Sequence, residues 1–474
     1  MKRYKTTTIW IVLFMMGWIH VYGQEDTLSV NISGVDGVLS SYLETAARNN
    51  PSVQQKWSAY KAALQKVPQV GSLPDPNLNL GFFLKPMELP GGNQVADLQL
   101  MQMFPWFGVI KNAKDEMSLM AKASYESLED TKLQVFYDVQ SSWYNLYRNR
   151  EQVRIMQHNL DLLRQMMRLA TVRYKTGSSI SVPVSSNSMK NGVSGSPVSS
   201  GMSTMPPSGN STTVATAPMP TPAMSTSSGG GLTDLYTLQL EENELVSSLS
   251  SLNDEYQTQL FKFNKLLNRT MDKPVVLPEK GYVDTFEPPM DSALSNNPML
   301  TMLQFERESL EAKQKMSDRM GYPMVGVGLK YSILSKNPAS TSMMNGQDML
   351  MPMVSVSLPI YRKKYKAIKQ ETEWQKTASE QSFQATQNAL QSDYQEALFN
   401  YRDALRRVKL YEGQNQLVEK TYQLQLKRFA SSATDLSEIR SIGRQQLDYA
   451  LKEMNAHVDV LQAQAKLRQL TARF

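Results

Sequence analysis

Residues 77–84 read NLNLGFFL and residues 324–333 read MVGVGLKYSI, and both alternate. In the first, Leu78, Leu80, Phe82 and Leu84 fall on one side, with Asn77, Asn79 and Gly81 on the other. In the second, Val325, Val327, Leu329, Tyr331 and Ile333 oppose Gly326, Gly328, Lys330 and Ser332. This period of two marks a strand with one apolar face and one polar or small face. A second strand-like segment follows each, near Ala96 to Phe104 and near Met351 to Leu358, so residues 77–104 and 324–358 read as two β-hairpins. Their loops carry the turn formers Pro90-Gly91-Gly92-Asn93 and Asn345-Gly346.

The hairpins sit in two copies of one larger unit. Asn49-Asn50-Pro51 recurs as Asn296-Asn297-Pro298, and Phe104-Pro105-Trp106-Phe107 resembles Leu358-Pro359-Ile360-Tyr361. Arg173-Tyr174 resembles Arg428-Phe429, and Thr233-Asp234-Leu235 matches Thr434-Asp435-Leu436, which is the pattern of a single long-period duplication. Each copy should open with one helix, Val38 to Val67 and Ser292 to Met320. After each hairpin comes a proline-free helical stretch, Lys111 to Gly177 and Lys363 to Ser432, which at 1.5 Å per residue would extend roughly 100 Å. Val139, Trp143, Leu146 and Val153 keep register with Tyr394, Leu398, Tyr401 and Val408, spaced as in a coiled-coil seam. Arg148, Arg150, Glu151 and Arg154 are expected on solvated faces. Leu232 to Asn268 and Ser437 to Phe474 should return as antiparallel partners.

The resulting division is residues 24–177 for the first copy, 178–231 for an insertion at a helical tip, 232–290 for the return helix and linker, and 291–474 for the second copy. The insertion has no aromatic residue and one charge, Lys190, and Ser, Thr, Gly, Pro and Met dominate it. It lacks the apolar surface needed to offset ordering, so a disordered loop is expected. Residues 1–23 read as a secretory signal peptide: a basic start at Lys2, Arg3 and Lys5, an apolar run from Thr6 to Ile19, and a small-residue exit before Gln24. That run is too short for a membrane span, and no later stretch is long and apolar enough for a transmembrane helix.

The 474 residues carry a net charge of +6, no cysteine and three histidines, His20, His158 and His457. Disulfides, thiol nucleophiles and thiolate metal sites are excluded, and imidazole chemistry is poorly supplied. No phosphate loop or nucleophile–base–acid arrangement appears, so an enzyme and a catalytic cofactor are not expected. Acidic residues interleave with basic ones throughout, which argues against nucleic-acid binding despite the basic balance.

Four amphipathic strands of about eight to ten residues are long enough to cross a bilayer when tilted. Four cannot close a barrel, and an open edge in lipid leaves backbone groups unpaired. Subunits would therefore pool strands, two chains giving eight and three giving twelve. A four-stranded sheet decorating a secreted coiled-coil protein remains the alternative.

The signal peptide, the duplicated order of helix, hairpin and long helix, the proline after each second strand and the arginine–aromatic pair near each tip resemble the TolC family of outer-membrane efflux channels. The resemblance runs from about Val38 to Phe474. It implies a mainly α fold with a β-barrel: a homotrimer whose twelve-stranded outer-membrane barrel continues as a periplasmic α-helical barrel. The location implied is the outer membrane of a Gram-negative bacterium, and the partners are a periplasmic adaptor, an inner-membrane pump and outer-membrane lipid. Arg173, Tyr174 and Gly177 match the family's first tip motif; Arg428 and Phe429 match the second, where Ser432 replaces the glycine, and these five are the adaptor-docking candidates. Asp435 and Glu438 are the nearest matches to acidic residues that ring the periplasmic mouth, where three copies would attract cations, although Asp435 equally suits a helix cap.

The chain has 29 methionines. Met189, Met202, Met205, Met219 and Met224 lie in the insertion, and thioether sulfur is a soft ligand that prefers Cu(I) and Ag(I), so these five are candidate metal ligands. Met343, Met344, Met349, Met351 and Met353 crowd the second hairpin, and Met87, Met101 and Met103 the first. The pattern resembles the copper- and silver-exporting CusC-type branch, from which the chain departs in lacking a lipidation cysteine after the signal peptide. Met156, Met166 and Met167 stand at helical spacing and read as packing residues. Drugs and secreted polypeptides are the competing cargoes.

Overall fold

The computed structural model describes residues 37–89, 91–177, 230–278, 291–339, 341, 343–430 and 436–472. Residues 1–36, which include the segment expected to be a signal peptide, residues 178–229 of the insertion and residues 279–290 of the linker lie outside the described residues. In chain order the elements are α1 (Gly37–Asn49), α2 (Pro51–Gly71), β1 (Asn77–Leu89), β2 (Gly92–Phe104), α3 (Val109–Gly177) and α4 (Gly230–Leu266). A 3₁₀ turn (Asp291–Asn296) then precedes α5 (Pro298–Met320), β3 (Met324–Ser335), β4 (Met349–Ser357), α6 (Arg362–Ala430) and α7 (Leu436–Leu470).

The opening helix of each copy is broken where one continuous helix was expected. Asn50 (φ −65°, ψ 125°) and Asn297 (φ −67°, ψ 126°) are extended. The proline that follows each one disfavours the α region for the residue before it and takes the first position of the next helix itself. Each asparagine caps that helix: Asn50 Oδ1 accepts from the Ser52 N–H and Asn297 Oδ1 from the Met299 N–H, both at 2.9 Å. Past Val67, α2 continues through Pro68 to Gly71.

The strands form one antiparallel meander, β1-β2-β3-β4. The β2–β3 ladder, from Phe104↔Val325 to Asn93↔Ser335, joins the two copies. A register shift between Gln94 and Ala96 leaves Val95 as an extra residue, and β1 is irregular between Phe82 and Met87. Strands β1 and β2 extend to Leu89 and back to Gly92, beyond the alternating core, and β4 begins at Met349. Gly92 (φ 126°) and Gly346 (φ 82°) occupy left-handed backbone that other residues adopt at a cost. The Gly346 N–H donates to the Gly91 carbonyl at 2.9 Å, linking the two hairpin loops.

The chain divides into two compact units. The first comprises the described parts of residues 1–150, 255–410 and 453–474, and so holds the sheet. One of its cores buries Leu39, Leu43, Leu128, Val139, Trp143, Leu146 and Phe263; the other buries Leu294, Leu300, Tyr394, Tyr401 and Leu467. Of the seam positions read from the sequence, Val139, Trp143, Leu146, Tyr394 and Tyr401 are core positions and Leu398 and Val408 pack against the core, whereas Val153 is half-buried and belongs to neither of these cores. Arg148 and Arg150 are not simply solvated: Arg148 pairs with Asp459 at 3.0 Å and Arg150 donates to the carbonyls of Leu277 and Pro278. The second unit comprises residues 151–254 and 411–452, with Leu163, Met166, Ala170, Leu238, Tyr422, Phe429, Leu436 and Ile439 as its core. There Glu151 is buried and paired with exposed Arg154 at 2.7 Å, where a solvated face was expected for both.

Candidate functional site: an apolar sheet face and the helical tips

Cross-strand pairing gathers the alternating apolar residues onto one side of the sheet. Leu78 and Leu80 lie opposite Leu100 and Leu98, which in turn face Leu329 and Tyr331. On β4, Val356, Val354 and Leu350 continue the face opposite Val325, Val327 and Tyr331. In the single chain this side is bare: Phe82 is 78% and Val354 75% exposed. A contiguous apolar surface of this kind marks a membrane or protein contact. The strands are 13, 13, 12 and 9 residues long. About 9–11 tilted residues suffice to cross a hydrocarbon core.

The opposite side carries polar and small residues together with methionines. Asn77, Asn79 and Gly81 of β1 face Met101, Gln99 and Asp97 of β2, and these face Gly328, Lys330 and Ser332 of β3. Lys330 Nζ lies 3.3 Å from an Asp97 carboxylate oxygen, so the charges on this face compensate. Gly328 permits a close approach: a β-carbon there would stand 2.8 Å from the Leu100 carbonyl oxygen.

An aromatic group sits where the strands hand over to helices. Trp106 stacks on Tyr322 (5.3 Å, 15°), Phe107 meets Trp106 edge-on at 6.1 Å, and Ile360 and Tyr361 are exposed after β4. Amphipathic rings bordering an apolar strand face are the arrangement of a membrane–water interface. Sequence reading used Trp106 and Tyr361 only as markers of the repeat; the usable signal was their place directly after each strand pair. Among the described residues, no helix is long and apolar enough to cross a membrane.

In the second unit, α3 and α6 carry the tip residues. Tyr174 is exposed near the end of α3, Arg173 lies in the same turn and Gly177 is the last residue of the helix. Arg428 is exposed at the end of α6, whereas Phe429 is 7% exposed and belongs to the unit's core. The two arginine–aromatic pairs are therefore not equivalent: Tyr174 presents its ring, while Phe429 buries its own beside Leu436 and Ile439. Glu438 is exposed in the first turn of α7, where the helix dipole favours an anion. Asp435 and Ser432 lie outside the described residues, as do Met189, Met202, Met205, Met219 and Met224. Below the tip, Arg444 binds the buried Glu241 carboxylate, which pushes the guanidinium's pKa up, and Arg164 pairs with Glu242 at 2.8 Å. Burial, with Glu419 nearby, raises the pKa of the Tyr422 phenol.

Residues 290–473 match the family model for outer membrane efflux proteins. No curated protein sequence matches the chain. Among solved structures, the outer-membrane channel OprN has a TM-score of 0.71 at 13% identity, covering 93% of this chain and 91% of its own. CusC, described as undergoing conformational changes on folding and transmembrane channel formation, scores 0.69 at 13% identity with 94% and 95% covered. The CmeC outer membrane channel of Campylobacter jejuni scores 0.69 at 10% identity with 92% and 86% covered. At these identities the likeness is one of fold, and it embraces both copies of the repeat. The sequence is therefore similar to the outer membrane efflux protein family over residues 290–473, and the fold of both copies is similar to that of solved outer-membrane channels.

Proposed function

We propose that this protein is the outer-membrane channel of a tripartite efflux system, a passive conduit that performs no chemistry itself. The observation that carries the reading is the bare apolar face of a four-stranded sheet whose outer strands, β1 and β4, lack a partner on one side among the described residues. Lipid would cover the face, but the edges need backbone partners, since an unpaired edge in hydrocarbon costs several kcal/mol per polar group. Three copies joined β1 to β4 give a closed barrel of twelve strands in the outer membrane of a Gram-negative bacterium, with the helical segments in the periplasm. Arg362, Lys363 and Lys364 at the start of α6 oppose the helix dipole, a placement that lipid phosphates beyond the aromatic belt would reward.

An adaptor would dock at Arg173, Tyr174, Gly177 and Arg428, with Phe429 shaping the tip from within, and an inner-membrane pump would deliver the cargo. Asp435 and Glu438, in three copies, would make an acidic periplasmic mouth that favours cations. The cargo is Cu(I) or Ag(I), or another soft heavy-metal cation; methionine in the insertion and on the sheet supports this. The test is survival of the native host, with and without the gene, on graded copper and silver salts against a hydrophobic drug and a bile salt. Selective metal sensitivity of the deletion is the expected result. Sensitivity to the organic compounds alone overturns the metal cargo and leaves the channel standing.

A further inference from the structure

The strand register brings together five methionines from two separate hairpins. Met101 and Met103 of β2 lie opposite Gly328 and Gly326 of β3, and on the far side of β3 Met353, Met351 and Met349 lie opposite Gly328, Lys330 and Ser332. All five share the side that faces away from the apolar surface. The glycines between them leave open space, and methionine sulfurs enter it. A β-carbon on Gly326 would stand 2.5 Å from Met103 Sδ and 3.2 Å from Met101 Sδ, so two thioethers converge over one backbone position.

We propose that this face is a soft-metal binding track for Cu(I) or Ag(I) inside the channel, with the Met101–Met103 pair as its tightest point. The proposal rests on the channel reading, which turns this face inward, and deepens the cargo reading. Gap-filling explains methionine over a glycine, but Met349 and Met351 lie opposite Ser332 and Lys330 and are 51% and 44% exposed. A water-filled barrel is ordinarily lined with polar groups. Unbranched thioethers are instead apolar enough to repel hard ions and soft enough to coordinate monovalent copper or silver. They are neutral and carry no proton to displace, so capture would change little with pH. Asp97 compensates Lys330 beside Met351, so that cation does not stand unpaired against the metal. Spread along the strands, the sulfurs form several weak sites in place of one deep trap, which conduction requires.

The test titrates the purified full-length protein in detergent with silver nitrate, in chloride-free buffer, by calorimetry. Met101→Leu/Met103→Leu and Met349→Leu/Met351→Leu/Met353→Leu are compared with a variant carrying leucine at all five insertion methionines. Each sheet variant should weaken or remove a binding component, by about tenfold or more for the β2 pair, while the insertion variant keeps it. Should the β2 variant lose its native circular dichroism, the wild-type protein supplies the reading: Ag(I) should shield Met101 and Met103 from peroxide oxidation, mapped by mass spectrometry. Unchanged isotherms in both sheet variants, or oxidation of Met101 and Met103 unaffected by silver, overturn the proposal. Binding at these residues without a metal phenotype in the host overturns the cargo reading alone, and a metal phenotype without such binding overturns the track alone.

Discussion

Asn50 and Asn297 each do two things with one amide. The Oδ1 atom caps the helix that follows, and the Nδ2 atom donates to the last carbonyl of a returning helix: Asn50 to Leu266 O at 2.8 Å, Asn297 to Leu470 O at 2.9 Å. Final-turn carbonyls have no partner within their own helix, so these amides close each returning helix onto the start of an earlier helix of its own copy. Replacing the asparagine by alanine should remove a cap worth about 0.5–2 kcal/mol and orphan a carbonyl at about 1–3 kcal/mol. Serine restores the cap and cannot reach the carbonyl. Thermal unfolding followed by circular dichroism should therefore rank wild type above Asn297→Ser, and Asn297→Ser above Asn297→Ala; serine matching wild type would show that the carbonyl bond contributes nothing. The Asn-Asn-Pro repeat is plain in the sequence, and so in principle is the helix break, because proline restrains the residue before it. The carbonyl clamp is a tertiary fact: Asn50 and Leu266 are 216 residues apart, and no local pattern announces their meeting.

At the scale of the element, the strands were the most legible part of the chain and the tips the least. Alternation in residues 77–84 and 324–333 identified the two faces because one side is uniformly apolar, and the register bears this out by aligning Leu80, Leu98 and Tyr331 across three strands. Phe429 and Tyr174 look alike in sequence, and only packing separates them by sending one ring into the core. Two expected outcomes follow from the faces. Val327→Lys places a charge on the apolar side and should cost about 2–4 kcal/mol if that residue lies near the bilayer centre, whereas Asn79→Lys on the other side should be tolerated. Denaturant unfolding of the protein in lipid vesicles measures the difference, and equal penalties would mean the apolar face does not meet lipid. The glycines of β3 should also separate. Alanine at Gly328 meets the Leu100 carbonyl oxygen at 2.8 Å, a backbone atom that cannot step aside. Alanine at Gly326 meets Met103 Sδ, the far end of a flexible side chain. Gly328→Ala should therefore lower the melting temperature more than Gly326→Ala, and the reverse order would show that the ladder yields more readily than the methionine.

For the whole molecule, duplication supplies two hairpins, and the β2–β3 ladder uses up the inner edge of each, leaving β1 and β4 as the ends of an open sheet among the described residues. Strand alternation implies that more strands are needed but says nothing of how many copies provide them, because the number depends on curvature and stagger, which one chain does not encode locally. Covalent trapping can count the copies directly. The natural chain has no cysteine, so introduced pairs report without background. Single cysteines in β1, at Asn77 or Asn79, combined with one in β4, at Met353 or Ser355, place thiols on the inward side of the two free edges. At least one combination should bring them within disulfide reach, which needs β-carbons about 3.5–4.5 Å apart. Oxidation in the membrane should then give a ladder of dimer and trimer on denaturing gels, ending at a closed trimer and cleared by reductant. Within one chain β1 and β4 are separated by two intervening strands, so an intramolecular bond is sterically excluded and each link counts one neighbour. A ladder ending at dimer would replace twelve strands by eight, and monomer for every combination would mean that the free edges do not meet, removing the barrel from the proposed function.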